Sequence, residues 1–260
     1  MKVTVPNRVA TLGLIVLLGT PVAAQADEAY AKRTLKSMSE YVGAQTDLSF
    51  EYDAVLEVTT ADDQVLALAS SGSVTLNRPD KIRATRSGGF ADVESFFDGK
   101  TLTLLGKKHN IYTQLEVPGT IDHLVDELKN TYNRPLPAAD LLLSSSYEEL
   151  MHDVTDVKDL GSGVIGGVEC DTFAFRTNEV DWQIWIAQGE QPYPCRYVIT
   201  SKLIANAPQY SVQTRAWTTG AEVATDGFEF KNPSKADLVD LKDLKGTGDL
   251  PANFTMGKTK

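Results

Sequence analysis

Cysteine and histidine are scarce in this chain: two cysteines and three histidines among 260 residues. His109, His123 and His152 show no ligand spacing and have no cysteine cluster beside them, so no metal centre is expected. Basic residues are outnumbered, 25 against 35 acidic, for a formal net charge of −10. That balance excludes a nucleic-acid surface, which needs a basic field, and docking on anionic headgroups. No apolar run reaches the roughly 20 residues of a membrane-spanning helix. Neither G-x-S-x-G nor H-E-x-x-H occurs, and no nucleophile, base and orienting group stand out together. The expectation is a protein that is not an enzyme and has no cofactor, with a hydrolase built from distant residues as the minor alternative.

The run "GSGVIG" at Gly161–Gly166 matches a dinucleotide fingerprint by letters alone. Its mechanism needs a helix to follow, so that the helix N-terminus meets the pyrophosphate. The residues that follow, "VECDTFAFRT", are strand-like, so the glycines read as hairpin turns.

The N-terminus carries Lys2 and Arg8, then an apolar run from Val9 to Gly19, then Ala24-Gln25-Ala26. These are the three parts of a secretory signal peptide, which assigns residues 1–26 to the signal and Asp27 to the mature start. No cysteine follows the cleavage site to carry a lipid. Without the two basic residues of the signal, 23 basic residues face 35 acidic ones, a balance of −12. The expected location is the periplasm, with no membrane span after cleavage. In an exported chain Cys170 and Cys195 default to a disulfide. If their strands flank a third, the Cα atoms lie roughly 9–10 Å apart, beyond the roughly 7 Å limit, unless a bulge or an early strand end intervenes.

Residues 27–45 show helical spacing of Tyr30, Leu35, Met38 and Val42. From Phe50 the period changes to two: Phe50, Tyr52, Ala54, Leu56 and Val58 alternate with more polar positions. Further strands are expected at 65–76, 81–86, 93–97, 101–105 and 111–116. Residues 120–153 read as a helical insert. Thr120 is its first N-cap, Pro137 is placed to start a second helix, and "SYEE" from Ser146 is a capping-box pattern. Strands resume at 154–160, 168–177, 181–187, 195–203 and 210–217, and Phe228-Glu229-Phe230 is a candidate for one more. Residues 245–260 are Gly-, Thr- and Lys-rich and read as a flexible tail. The expected fold class is α+β. An antiparallel sheet of about eleven strands in one domain, residues 27–244, must curl into an incomplete barrel. The helices are left to cover its concave face.

The most aromatic segment, "DWQIWIAQGEQPYPCRYVITSK" at Asp181–Lys202, reads as a central hairpin of that sheet with both faces partly covered. "GVECDTFAFRT" at Gly167–Thr177, "VDWQIWIAQGEQPYPCRYVIT" at Val180–Thr200, "FFDGKTLTLL" at Phe96–Leu105 and "PQYSVQ" at Pro208–Gln213 resemble a bacterial family of predicted periplasmic proteins, domain of unknown function 2092. That family is similar to the LolA-like lipoprotein-carrier superfamily, which includes mycobacterial lipid carriers. The resemblance implies a curled incomplete barrel with helices plugging an apolar hollow, and it supplies no site residues.

The functional expectation is a carrier or sensor that holds an acyl chain or other apolar ligand under a helical lid. Phe50, Tyr52, Leu56, Leu66, Leu68, Phe96, Leu102, Leu104, Trp182 and Ile184 are the candidate lining residues. The alternative is an interaction module for an envelope protein in assembly or stress signalling, with an exposed apolar patch around Trp185 or Trp217.

Overall fold

Two blocks of alternating strand residues flank the helical insert, and the chain joins them into one sheet. A computed structural model describes residues 22–134, 136 and 138–244, with side chains from residue 27 onward. Helix α1 is Val22–Ala44. The first block gives β1 Asp47–Thr59, β2 Val65–Asn77, β3 Lys81–Gly88, β4 Asp92–Phe97, β5 Thr101–Gly106 and β6 Ile111–Glu116. The insert holds α2 Ile121–Asn130, a 3-10 turn Ala139–Leu142 and α3 Ser146–Met151. The second block gives β7 Asp156–Ile165, β8 Val168–Arg176, β9 Val180–Ala187, β10 Pro194–Ser201, β11 Gln209–Thr219 and the short β12 Asp237–Leu238.

The strand order is β12-β6-β5-β4-β3-β2-β1-β11-β10-β9-β8-β7. The sheet is open, curled and antiparallel except where β12 joins β6 in parallel. The blocks meet at β1 and β11, so the two longest strands, β1 and β2, lie near the middle. The count is twelve against the expected eleven or so. Phe228–Phe230 is not the added strand. It crosses the outer face, with the Phe230 ring 5.5 Å from Phe96 and 4.8 Å from Tyr112. The proposed signal peptide and tail fall largely or wholly outside the described residues, as does Pro137. Helix α1 begins five residues before the expected Asp27.

Register fixes which side chains share the inner face, because cross-strand partners point the same way. One rung runs Leu48, Leu76, Ile82, Phe97, Leu102, and the next runs Phe50, Val74, Ala84, Ser95, Leu104. A third runs Tyr52, Gly72, Arg86, Val93. Helix α1 fills one half of the inner face. Its buried Ala31, Leu35, Met38 and Val42 belong to one core with Phe173, Phe175, Trp182, Ile184 and Tyr197. Ser39 ties α1 to α3: its Oγ accepts from Ser146 Oγ at 2.7 Å and from the Tyr147 amide at 2.9 Å. Ser146 therefore makes a buried interhelical contact. The expected capping box does not form, because Ser145 is the N-cap and gives no side-chain cap. Thr120 does cap α2, accepting from the His123 amide at 3.2 Å. Gly166 and Gly167, both at positive φ, turn β7 into β8, and Gly161 sits at a register shift in β7. The "GSGVIG" glycines thus serve a hairpin.

The expected Cys170–Cys195 bridge is not formed. Both residues are free and buried. They sit on β8 and β10 with β9 between them, the separation that opposes a bond. A register shift between Pro194 and Arg196 places both in one small cluster with Ala187, where burial raises both thiol pKa values. No helix among the described residues is long and apolar enough to cross a membrane.

Gly72 is required where it stands. The Tyr52 side chain crosses β2 and its hydroxyl donates to the Thr85 carbonyl at 3.0 Å. A Cβ on Gly72 would lie 2.0 Å from that carbonyl and 2.6 Å from the Tyr52 hydroxyl. Gly72→Ala is expected to destabilise the fold by about 1–3 kcal/mol through overpacking. An unchanged denaturation midpoint would contradict the placement.

Candidate functional site

The half of the inner face that α1 leaves uncovered is roofed by α2 and by Arg134, Leu136 and residues 138–142. Between roof and sheet lies a cavity of about 450 Å³, within the range of small-ligand sites. Its floor is Phe50, Tyr52 and Leu56 from β1, Ile82 and Ala84 from β3, Leu102 and Leu104 from β5, and Val212 and Trp217 from β11. Its roof is the apolar stripe Ile121, Leu124, Val125 and Leu128 of α2, continued by Leu136, Leu141 and Leu142. The stripe has helical spacing, and Asp122 and Glu127 lie off it, so α2 buries one side and solvates the other. Few polar groups reach the wall. The lining residues with polar side chains are Ser70, Thr85, Ser95, Thr214, Tyr52, Tyr210, Arg86 and Arg134. No acidic residue lies among the described residues of the wall.

Five of the ten candidate lining residues, Phe50, Tyr52, Leu56, Leu102 and Leu104, are on this wall. Leu66 and Leu68 pair with Val58 and Leu56, on the same face but farther out along the β1–β2 hairpin. Phe96 lies on the outer face beneath the Arg83 guanidinium, 5.2 Å from its ring centroid. Its neighbour Phe97 takes the inner position, because period two admits only one of two adjacent aromatics. Trp182 and Ile184 face inward but sit in the core under α1. Trp182 stacks on Phe175 with centroids 3.9 Å apart.

Trp217 is the wall residue that simple alternation misses. Counting by twos from Tyr210 puts Ala216, not Trp217, on the inner face. Between Ser49–Glu51 of β1 and Arg215–Thr218 of β11 the register slips by one residue, and Ala216 adopts φ +52°. This bulge swings Trp217 inward, where it stacks between Phe50 at 5.2 Å and Tyr193 at 5.0 Å. Trp217 is therefore half-buried rather than the centre of an exposed patch. Trp185 is half-buried beneath the Arg196 guanidinium.

The roof segment is fixed at one end. Arg78 donates to the Leu142 carbonyl at 2.6 Å, and Asp122 accepts from the Ser144 amide at 3.2 Å. At the other end Leu136 lines the cavity yet is 50% exposed. Asp140 lies between. Its Oδ1 is buried without a hydrogen-bond partner among the described residues. Burial pushes its carboxyl pKa up to about 6, with Glu149 raising it further and the Leu141 amide and Lys129 opposing. The buried Tyr197 phenol beside it is raised well above its usual range by burial and by Asp140.

A family model described as predicted periplasmic protein (DUF2092) matches residues 31–242. No curated protein matches the chain. Among solved structures, the chain is similar to the lipoprotein LppX of Mycobacterium tuberculosis, at 12% identity and TM-score 0.40, over 76% of this chain and all of that one. It is similar to the MucA/MucB complex structure of Pseudomonas aeruginosa at 15% identity and TM-score 0.45, over 81% of this chain and 63% of that one. It is also similar to a LolA superfamily protein from Nitrosomonas europaea at 8% identity and TM-score 0.33, over 73% of this chain and 93% of that one.

Asp140 sets a pH dependence. Its folded pKa of about 6 exceeds the ordinary 3.8, so between these values the folded state holds a proton the unfolded state has lost. Stability from this group is therefore highest at low pH and falls as pH rises towards 6, by about 3 kcal/mol in total. Asp140→Asn is expected to stabilise the protein, and by more at pH 7.5 than at pH 4.5 in urea unfolding. A gain that is equal at both pH values would contradict the assignment.

Proposed function

The chain belongs to that predicted periplasmic family, and on that premise we propose that it is a non-enzymatic, exported carrier or sensor for an acyl chain or other apolar ligand. The export signal is residues 1–26 and the hollow under α2 is the binding site. The observation that supports this reading is the cavity itself: about 450 Å³ in volume and apolar on floor and roof. Each methylene moved from water into such a space contributes about 0.8 kcal/mol, so a chain is held without polar contacts. Entry requires the roof over the cavity to move. Helix α1 stays in place, because its apolar face is committed to the core beneath it.

Of the expected lining residues, Phe50, Tyr52, Leu56, Leu102 and Leu104 are proposed as ligand contacts. Leu66 and Leu68 extend the same face beyond the cavity. In this reading Trp182 and Ile184 are core and Phe96 serves the outer face. A second reading, a protein partner, is favoured by edge strand β7, where Leu160 is 50% and Val164 65% exposed. An unpaired apolar edge is a template for another chain.

Leu104→Asp tests the first reading. Leu104 is only half-buried, so a carboxylate there can stay hydrated while making the hollow hostile to a chain. The variant is expected to fold and to lose at least about tenfold in affinity for a fluorescent fatty acid, the equivalent of about 1.4 kcal/mol. Undiminished loading by a folded variant would count against this cavity as the site.

A further inference from the structure

The cations on the cavity wall carry the reading further. The chain has 35 acidic residues against 25 basic, yet the described wall holds two arginines and no acid. Both arginines lie away from the most buried rung, whose Leu48, Leu76 and Phe97 are fully inaccessible. Arg86 continues the inner face of β3 beyond Ile82 and Ala84, in the rung of Tyr52 and Gly72. Arg134 follows α2, two residues before the half-exposed Leu136. Arg86 is engaged by other protein groups. The Arg134 guanidinium has no hydrogen bond or ion pair among the described residues.

We propose that the ligand is an anionic amphiphile, one apolar chain ending in a carboxylate or phosphate, with Arg134 as its principal headgroup contact and Arg86 supporting it. This rests on the apolar-ligand reading and specifies the head. A guanidinium stays charged at any relevant pH, and Arg134 is half-buried beside the apolar lining, where its donors can meet an incoming group. An anionic head supplies the partner, in the fork geometry that arginine favours. The chain then extends along the apolar rungs towards Leu102 and the α2 stripe. With no acid among the described residues of the wall, a cationic or zwitterionic head has no matching contact among them.

The test is displacement of a neutral fluorescent probe from the full mature chain by dodecanoate, dodecyl phosphate and dodecanol, which share one chain length. Both anions are expected to compete at least about tenfold better than dodecanol, the low end of what a hydrogen bond to a charged group contributes. Arg134→Gln should remove most of that advantage and leave dodecanol unchanged, while Arg134→Lys should keep much of it. Whichever anion competes better identifies the head as carboxylate or phosphate, and either upholds the proposal. Equal competition by all three, or an advantage unaltered in a folded Arg134→Gln variant, overturns it and leaves the apolar hollow standing. Failure of the probe to bind at all overturns the parent reading instead.

Discussion

One open sheet has to hide a single continuous inner face with too little helix. Strand β1 has thirteen residues, about 43 Å at roughly 3.3 Å per residue. Helix α1, with twenty-three residues, reaches about 35 Å and packs one half of that face. Helix α2, with ten residues, spans only about 15 Å over the other half. The 3-10 turn extends the roof without filling the space beneath. The cavity is the part of the inner face that the helices do not reach.

That deficit organises the rest. Close-packed contacts sit where helix meets sheet: Met38 and Leu35 over the β8–β9 aromatics, and Leu124 and Leu128 over Phe97 and Leu102. The weaker closure lies at the roof, where a buried carboxyl, Asp140, sits in an otherwise apolar segment. Ionisation of that carboxyl opposes its burial, so the segment is held less firmly as pH rises. Gly72 and the β11 bulge act on the floor. The first lets the Tyr52 ring cross β2, and the second turns Trp217 inward onto Phe50.

Much of the sheet was legible, because period-two alternation survives wherever one face is covered. Phe50, Tyr52, Leu56, Leu102 and Leu104 reach the wall by that rule. The rule fails at particular places for physical reasons. Phe96 and Phe97 are adjacent, and alternation alone does not say which turns inward. Trp217 is re-aimed by a bulge whose signal is a strained Ala216 rather than a glycine. Trp182 and Ile184 face inward as expected, but which stretch of inner face a helix occupies is a tertiary fact. Ser146 fits a capping box by its letters, yet burial against Ser39 takes precedence. Cys170 and Cys195 stay free, and the local register shift beside Cys195 is something composition does not encode. Asp140 in the roof segment and Arg86 and Arg134 in the cavity lining are single residues without a pattern, and only the fold places them.

The central claim is that the uncovered part of the inner face holds an apolar chain. Native mass spectrometry of the mature protein, isolated from its own compartment without detergent, tests it most directly. The account predicts a bound mass that is released on denaturation and is identified as a lipid. A clean protein mass from every preparation, together with no uptake of added fatty acid, would contradict it.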